Sequence, residues 1–449
     1  MSFRLQPILL SSLLVLACTF TACHSDDYPG EVLDRSLEAT INASFPGKGT
    51  ESLKLPSTGD FASIPQDPKN PLSVEKVALG QFLYHETGMS SEAKRREGVY
   101  TYSCASCHHV AAGFQAGRRQ GVGEGGEGFG LRGEGRHFNP DYDLTELDLQ
   151  PIRTPSTLNS AFQEITLWNG QFGATGDNIG TEANWTENTP KAVNKLGYHG
   201  VETQAIAGLN VHRMESDQQF CEVMGYRELF DAAFPDIPSP TRYDREHAAL
   251  AIAAYERTLL ANEAPFQRWL NGDYKAMTED QKRGASLFFG KAECGTCHEG
   301  PALNNMDFHA LGMPDLVGSD VVSDPNDGAH KGRGGFTGRA EDMFRFKTPQ
   351  LYNLKDSPFF GHGGTFRSVR EIIEYKNIAR PSNSNVGASQ LDPAFQPLGL
   401  STQEINDLTT FVEDALYDPS LERYLPQSLP SGYCFPNNDD NSREDLGCN

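Results

Sequence analysis

The chain has 449 residues and a formal net charge of −22 at pH 7, because 60 Asp and Glu residues outnumber 38 Lys and Arg residues. This acidic excess excludes a protein that binds nucleic acid through its overall charge, and it favours a neutral or basic partner. The length allows two or three domains with buried cores. The 44 Gly and 27 Pro residues predict modest helices joined by long loops.

The N-terminal segment, residues 1–23, has the pattern of a signal peptide: one arginine, a short apolar core and two Ala-Cys pairs. The apolar core is too short to span a membrane as a helix. We expect cleavage before Cys18 or Cys23 to leave a lipidated cysteine that anchors the chain to a membrane, and an ordinary secretory signal is the alternative. Both interpretations predict export, and we expect a periplasmic protein.

Residues 24–70 are polar and interrupted by prolines, so we predict a tether with one helix over 31–41. A first domain is predicted over 71–265. It opens with an amphipathic helix over 73–84 and closes with an alanine-rich helix over 244–260.

Two motifs organise the chain: Cys104-Ala-Ser-Cys107-His108 and Cys294-Gly-Thr-Cys297-His298. In this pattern two thiols attach a haem covalently and the adjacent histidine ligates its iron. A redox dithiol or half of a zinc site is the alternative for a single Cys-x-x-Cys. Neither pair has a second Cys-x-x-Cys nearby and both carry the histidine, so we predict two c-type haems.

A glycine-rich loop follows the first motif, with eight glycines between residues 121 and 135. It contains Gly-x-Gly-x-x-Gly, but no strand precedes it and its acidic residues would repel a pyrophosphate, so a dinucleotide site is rejected. We predict a flexible loop. His137, just beyond it, is the residue expected to bind an iron reversibly.

A second domain is predicted over 275–430, with a capped helix over 278–289 before the second motif and a last helix over 402–417. The remaining tail, residues 431–449, is acidic, and Cys434 and Cys448 are expected to form a disulfide in an oxidising compartment. The predicted fold class is mostly α, with two cytochrome c-like domains joined by long loops and one covalently bound haem c in each.

From about Val77 to Leu425 the chain resembles the bacterial diheme cytochrome c peroxidases and the related methylamine-utilisation diheme enzymes. The motifs that carry the resemblance are Leu79-Gly80-Gln-Phe-Leu83, Arg153-Thr-Pro-Ser-Thr-Leu-Asn159, Leu167-Trp168-Asn169-Gly170 and the segment from Phe346 to Gly364. The resemblance implies that peroxide reacts at the N-terminal haem. It also implies that the C-terminal haem receives electrons from a small c-type cytochrome or copper protein, and that Trp168 lies between the two haems.

The resemblance also implies a calcium ion at the domain interface. Asp356 and Pro358 match the segment that donates carbonyl oxygens to such an ion, but Arg153 stands where an asparagine ligand is expected. Calcium is therefore left open.

The sequence departs from the family at the residue that transfers a proton and at a haem ligand. The family has a glutamate about ten residues after a glutamine, but counting from Gln204 leads to Arg213. Peroxide cleavage needs a side chain that accepts and returns a proton. The amide of Gln204 cannot do this, so His212 or Glu215 is expected to transfer the proton. His212 is preferred because its pKa is ordinarily nearer neutrality.

The sixth ligand of the second haem is the other departure. Tyr375 or Lys376 occupies its place, according to a one-residue shift in the alignment. We expect Tyr375, with Met343 as a further candidate.

The predicted function is reduction of hydrogen peroxide to water with electrons from a small periplasmic donor protein. One alternative is an oxidase of the methylamine-utilisation type that uses high-valent iron on another substrate. The other alternative is a diheme electron carrier that catalyses no reaction.

Overall fold

The computed structural model describes Met1 and residues 30–448, so the signal peptide predicted for residues 1–23 lies outside the described part apart from Met1. The described chain is mostly helical, with two short antiparallel strand pairs. No helix within it combines the length and apolarity needed to cross a membrane. The helices are α1 Glu31–Ser44, α2 Val74–His85, α3 Gly200–Val211, α4 Gln218–Val223, α5 Arg227–Ala233, α6 Arg245–Arg257, α7 Pro265–Leu270, α8 Glu279–Phe289, α9 Arg333–Thr337, α10 Val369–Ile378, α11 Thr402–Thr410 and α12 Asp440–Leu446.

The strands bring distant parts of the chain together. β1 Gly126–Glu127 pairs with β2 His137–Phe138, and β3 Phe308–His309 pairs with β4 Phe346–Lys347. Strand β1 lies within the glycine-rich loop and β2 lies just beyond it. The pairing of β3 with β4 places His309 beside Phe346.

Several helices begin at side chains that accept hydrogen bonds from the first-turn N–H groups. Ser73 caps α2, and capping boxes at Thr278 and Ser401 start α8 and α11. These residues satisfy donors that have no partner within the helix. The last predicted helix continues past α11 as a wider π-helical turn, Phe411–Ala415.

Two crossed helix pairs form the core: α2 packs on α6, and α8 packs on α11. Each crossing depends on a glycine. A Cβ at Gly80 would overlap the backbone carbonyl of Ala251, and a Cβ at Gly284 would overlap the carbonyl of Asp407. The helices approach so closely that only a glycine fits at these two points. Each pair also contacts one Cys-x-x-Cys-His turn, since α2 touches the first and α8 touches the second.

The segment predicted as a tether is packed against the core over its described part, residues 30–70. Helix α1 lies on α8, with Leu37 and Ile41 fully buried. The indole of Trp269 donates a hydrogen bond to Asp34 Oδ1 at 2.7 Å. The tether prediction is therefore wrong for these residues, because the apolar face of α1 covers the second helix pair.

The glycine-rich loop is held in place by the C-terminal tail. Asp439 Oδ1 accepts the backbone N–H of Gly128 at 2.9 Å, and Asp445 Oδ2 accepts those of Phe129 and Gly130 at 2.7 Å. Cys434 and Cys448 form a disulfide that closes this tail. Most of the loop is buried, so it is not the free segment that its composition predicts.

The glycines at the helix crossings give the first prediction. Gly284→Ala should lower the free energy of unfolding by about 1–3 kcal/mol, because the added methyl group forces α8 and α11 apart. Gly208→Ala in α3 is the matched control, since its Cβ would meet only the flexible Gln204 amide at 3.8 Å. It should raise stability by up to about 1 kcal/mol through helix propensity. Chemical denaturation of both variants measures the difference, and equal effects would contradict the close approach.

Candidate functional site

Each Cys-x-x-Cys-His motif folds as one tight turn with the same backbone hydrogen bonds. The N–H of His108 donates to the Cys104 carbonyl at 3.1 Å, and that of His298 donates to the Cys294 carbonyl at 2.9 Å. All four cysteines are free of disulfides. Each turn therefore offers two thiols and one imidazole within five residues.

Backbone carbonyls set the orientation of both imidazoles. Nδ1 of His108 lies 3.4 Å from the Phe114 carbonyl, and Nδ1 of His298 lies 3.0 Å from that of Leu303. A carbonyl oxygen only accepts hydrogen bonds, so Nδ1 carries the proton and Nε2 keeps a free lone pair for a metal. Burial lowers the pKa of His108 to about 4. It lowers the pKa of His298 to about 3, with the nearby Lys376 ammonium as the next cause. Both rings are neutral at pH 7, as iron ligation requires.

The second turn opens into a large apolar cavity of about 290 Å³. An apolar, concave site of this kind suits a porphyrin. Its walls include Cys294, Cys297 and His298 together with Phe288, Phe346, Phe360, Ile372, Ile373 and Val412.

Two buried cations on the same cavity lack a carboxylate partner among the described residues. Lys347 Nζ donates to the amide oxygen of Gln163 at 2.5 Å, and burial lowers its pKa to about 7. Arg153 donates to carbonyl, amide and hydroxyl oxygens, and its Nε is buried without a partner. Buried charges ordinarily need a counter-charge, and the propionates of a haem supply one. Thiols, imidazole, apolar walls and cations together fit a haem c at the second turn.

A second cavity, of about 30 Å³, touches the first turn at His108. This volume suits a small molecule rather than a porphyrin. The assignment of a haem to the first turn therefore rests on the two thiols and the imidazole of that turn. Its walls include His108, Gln163, Leu167, Val201, Gln204 and Glu256. Gln204, one of the site residues expected from the sequence, thus shares a cavity wall with His108.

Glu256 is a site residue that the sequence analysis missed. It lies near the end of α6, is 4% exposed, and lines the cavity with His108 and Gln204. No described residue donates a hydrogen bond to its carboxyl group. Burial, with the neighbouring Glu202 as the next cause, raises its pKa to about 8, although Arg257 opposes the shift. The only sequence signal was a glutamate on the apolar side of an alanine-rich helix.

The residues expected to move protons form ion pairs near the first turn, and the charge of His212 acts on His108. Arg213 pairs with Glu124 at 2.7 Å and also with Asp148. Nδ1 of His212 lies 3.4 Å from Asp148, and Glu215 pairs with an arginine on α6. Neither His212 nor Glu215 lines either cavity. The chain leaves helical geometry after Val211, which turns these side chains towards an ion-pair cluster.

His137 is also remote from both cavities. Its side chain is 58% exposed, and its ring bonds to Glu127 at 3.1 Å and to the Gly135 carbonyl at 3.0 Å. Strand β2 and the tail hold this region, so the structure does not support the predicted ligand role of His137.

Trp168 lies on the wall of the large cavity, and its neighbour Leu167 lines both cavities. The indole N–H donates to the Arg153 carbonyl at 2.7 Å, and the Lys347 N–H donates to the Trp168 carbonyl at 2.8 Å. The ring is therefore fixed, edge to face with His362.

The candidates for a sixth ligand of the second haem separate clearly. The Tyr375 hydroxyl donates to the Leu311 carbonyl at 2.7 Å, and Tyr375 does not line the large cavity. Met343 does not line it either. Lys376 does, and burial lowers the pKa of its ammonium.

A calcium ion does not fit around Arg153. The guanidinium donates to the carbonyls of Ala116, at 2.7 Å, and Arg118, and to the Ser357 hydroxyl at 3.1 Å. A cation already occupies this set of oxygens. Within residues 30–448 no group of three or more His, Cys, Asp and Glu side chains is placed to hold a metal ion.

Two covalent attachment turns, each with a neutral imidazole, define the class of protein as a c-type cytochrome with two haem sites. The family model described as di-haem cytochrome c peroxidase matches residues 74–275. "Methylamine utilization protein MauG" of Methylorubrum extorquens is 30% identical over 370 residues, which cover 81% of this chain and 84% of that protein. "Cytochrome-c peroxidase IdrP1" of Pseudomonas sp. (strain SCT) is 27% identical over 421 residues, covering 88% and 95%.

A crystal structure of a MauG-like protein associated with microbial copper homeostasis shares the fold, with a TM-score of 0.55 and 24% identity. The match covers 82% of this chain and 95% of that one. The chain belongs to the di-haem cytochrome c peroxidase family. It is accordingly an oxidoreductase of the peroxidase type with two c-type haems.

The attachment turns predict the mass of the mature protein. A Cys294→Ala/Cys297→Ala variant should carry one covalently attached haem where the parent carries two, because the second turn loses both thiols. Cys221→Ala is the control: that thiol is buried and free but belongs to neither turn, so two haems should remain. Intact mass spectrometry of protein matured by a haem-attachment system measures both. Two haems on the double variant would overturn the assignment.

Proposed function

We propose that the chain reduces hydrogen peroxide to water at an N-terminal haem unit, residues 71–265, with electrons delivered through a C-terminal haem unit, residues 275–430. The observation that carries this proposal is the environment of the first attachment turn, where Gln204 and Glu256 lie near the neutral imidazole of His108. It joins an imidazole able to ligate iron, an amide able to orient a bound molecule, and a carboxyl group able to transfer a proton.

His108 and His298 are the proposed proximal ligands. A c-type haem supplies an iron that exchanges single electrons and, where its sixth position is open, reacts with peroxide. The chain's own contribution is to orient each imidazole through its Nδ1–H bond and to keep both rings neutral by burial.

Glu256 is the proposed proton-transfer group. Cleavage of the peroxide bond needs a proton on the leaving oxygen, and a carboxyl group whose pKa is about 8 still carries its proton at pH 7. Gln204 lacks a transferable proton, but its amide can hold peroxide by hydrogen bonds. This proposal replaces His212 and Glu215, whose side chains pair with other groups.

Trp168 is the proposed stepping point between the units. Its indole is fixed in the wall of the large cavity by hydrogen bonds at its side chain and its backbone, next to Leu167, which lines both cavities. A rigid aromatic ring between two redox centres shortens the gap that an electron must cross.

The partner is proposed to be a small c-type cytochrome or copper protein with a basic face. The net charge of −22 attracts such a face and speeds encounter at low salt. A periplasmic location, with a lipid anchor at the N-terminus, is proposed from the sequence of residues 1–23.

An oxidase that acts on a third molecule is the second candidate. Arg213 stands where the family's peroxidases carry a glutamate, and the similarity to MauG points the same way. The oxidase would be favoured if the protein consumes peroxide without a reduced donor protein and only when a further substrate is present to be oxidised.

The role of Glu256 predicts an activity change. Glu256→Gln should lower kcat for peroxide reduction by about 10²-fold or more, the usual contribution of a positioned proton-transfer group. In the parent, kcat should fall as pH rises through about 8, because the carboxyl group loses its proton. Glu246→Gln, on the same helix but in neither cavity, is the control and should keep parental turnover. Full turnover in Glu256→Gln, with loss in His212→Gln, would return the role to His212.

The guanidinium of Arg153 predicts that the protein works without calcium. Prolonged treatment of the holoprotein with a calcium chelator should leave peroxide turnover and the haem spectra unchanged, because the Arg153 guanidinium already donates to the Ala116 and Arg118 carbonyls and the Ser357 hydroxyl. Arg153→Gln should lose stability, since those oxygens would lose a charged donor. Turnover that a chelator abolishes and added calcium restores would contradict this interpretation.

A further inference from the structure

The large cavity contains several side chains with metal-binding atoms besides the Cys294-to-His298 turn. They are His309, Met313, Lys347, His362, Lys376 and Asp392. Any of them that is already committed to a neighbour is a poor ligand for an iron held by His298, so their contacts decide among them.

The two histidines contact other side chains, although Nε2 of each is buried without a hydrogen-bond partner among the described residues. Nδ1 of His309 bonds to Asp392 at 2.8 Å, and its ring lies near Cys297, at the edge where the porphyrin is attached. The ring of His362 stacks on Phe346 with centroids 3.6 Å apart and nearly parallel planes. That stack fixes His362 in the cavity wall beside Trp168.

Lys347 and Met313 are also accounted for. Lys347 Nζ donates to Gln163, which also lines the small cavity, so Lys347 faces the first unit. The sulfur of Met313 lies against Gly361, in the loop next to the His362 stack. Neither contact brings the side chain to the His298 turn.

Among these side chains, Lys376 alone combines the lack of a hydrogen-bond partner with an electrostatic effect on the whole attachment turn. Its side chain reaches the cavity from α10, and no described residue accepts a hydrogen bond from Nζ or forms an ion pair with it. Lys376 lines the same cavity as Cys294, Cys297 and His298, and its charge acts on all three residues. The preceding residue, Tyr375, points away because consecutive helical residues are rotated by about 100°, and its hydroxyl is bound to Leu311.

We propose that Nζ of Lys376 is the sixth ligand of the iron held by Cys294, Cys297 and His298. The inference rests on the proposed two-haem function and refines its electron-delivering unit. The amine binds as the neutral base, and its proton passes to solvent when the bond forms. With both axial positions filled by chain nitrogens, the second site excludes peroxide and only exchanges electrons.

The ligand also affects the redox properties. An amine is a harder donor than a thioether and favours ferric iron, so it lowers the reduction potential relative to methionine. A lower potential at the second haem makes electron transfer to the first haem more favourable.

Spectra of the ferric holoprotein test the ligand directly. The parent should show one low-spin haem with neither the charge-transfer absorption of a methionine ligand nor that of a phenolate. Lys376→Ala should lose that low-spin signal in electron paramagnetic resonance. Lys376→Met should regain a low-spin haem with the methionine absorption and a higher reduction potential. Tyr375→Phe is the matched control one residue away and should leave the spectrum unchanged.

Intact mass must first show two attached haems in every variant, so that loss of ligation is not confused with loss of haem. An unchanged low-spin signal in both Lys376 variants would overturn the proposal, as would its loss in Tyr375→Phe. Because these readouts do not require turnover, a parent that shows the Lys376-dependent spectrum but never reduces peroxide would refute the proposed function alone.

Discussion

At two places two helices pack so closely that only glycine fits at the point of contact. Gly80 meets the backbone of α6, and Gly284 meets the backbone of α11. Each of these crossings packs against one Cys-x-x-Cys-His turn. The positions of His108 and His298 therefore depend on backbone contacts, which tolerate less displacement than contacts between flexible side chains.

Several ionisable side chains at the cavities of this protein have no oppositely charged partner among the described residues. Lys347 and Glu256 are buried at cavities, Lys376 is half-buried at one, and none of the three has a described ion pair. Arg257 and Glu202, by contrast, are buried and satisfy each other at 2.6 Å. Unpaired buried charge is costly, so its concentration around the two attachment turns indicates that groups other than protein side chains complete these sites. Haem propionates, iron and a peroxide molecule have the chemistry required.

Local patterns in the sequence were enough for features that depend on chain neighbours. The attachment turns and the capped helices α2, α8 and α11 follow from short-range spacing, whereas Gln204 was found through the family resemblance. Features that depend on contacts between distant parts of the chain could not be predicted from the sequence. The glycine-rich loop looks mobile in sequence, but its backbone is held by Asp439 and Asp445, about 310 residues further on. Likewise, only the rotation of α10 distinguishes Tyr375 from Lys376, because a one-residue shift in alignment moves a side chain to a different face.

The tail also covers the first attachment turn directly. The Pro436 carbonyl accepts hydrogen bonds from Ser103 and Ser106, at 2.8 and 3.2 Å, on either side of Cys104. The covering segment lies about 330 residues away from the turn along the chain. The first turn is therefore covered only once the chain has folded, so attachment of a haem to its two thiols has to precede the closing of the tail.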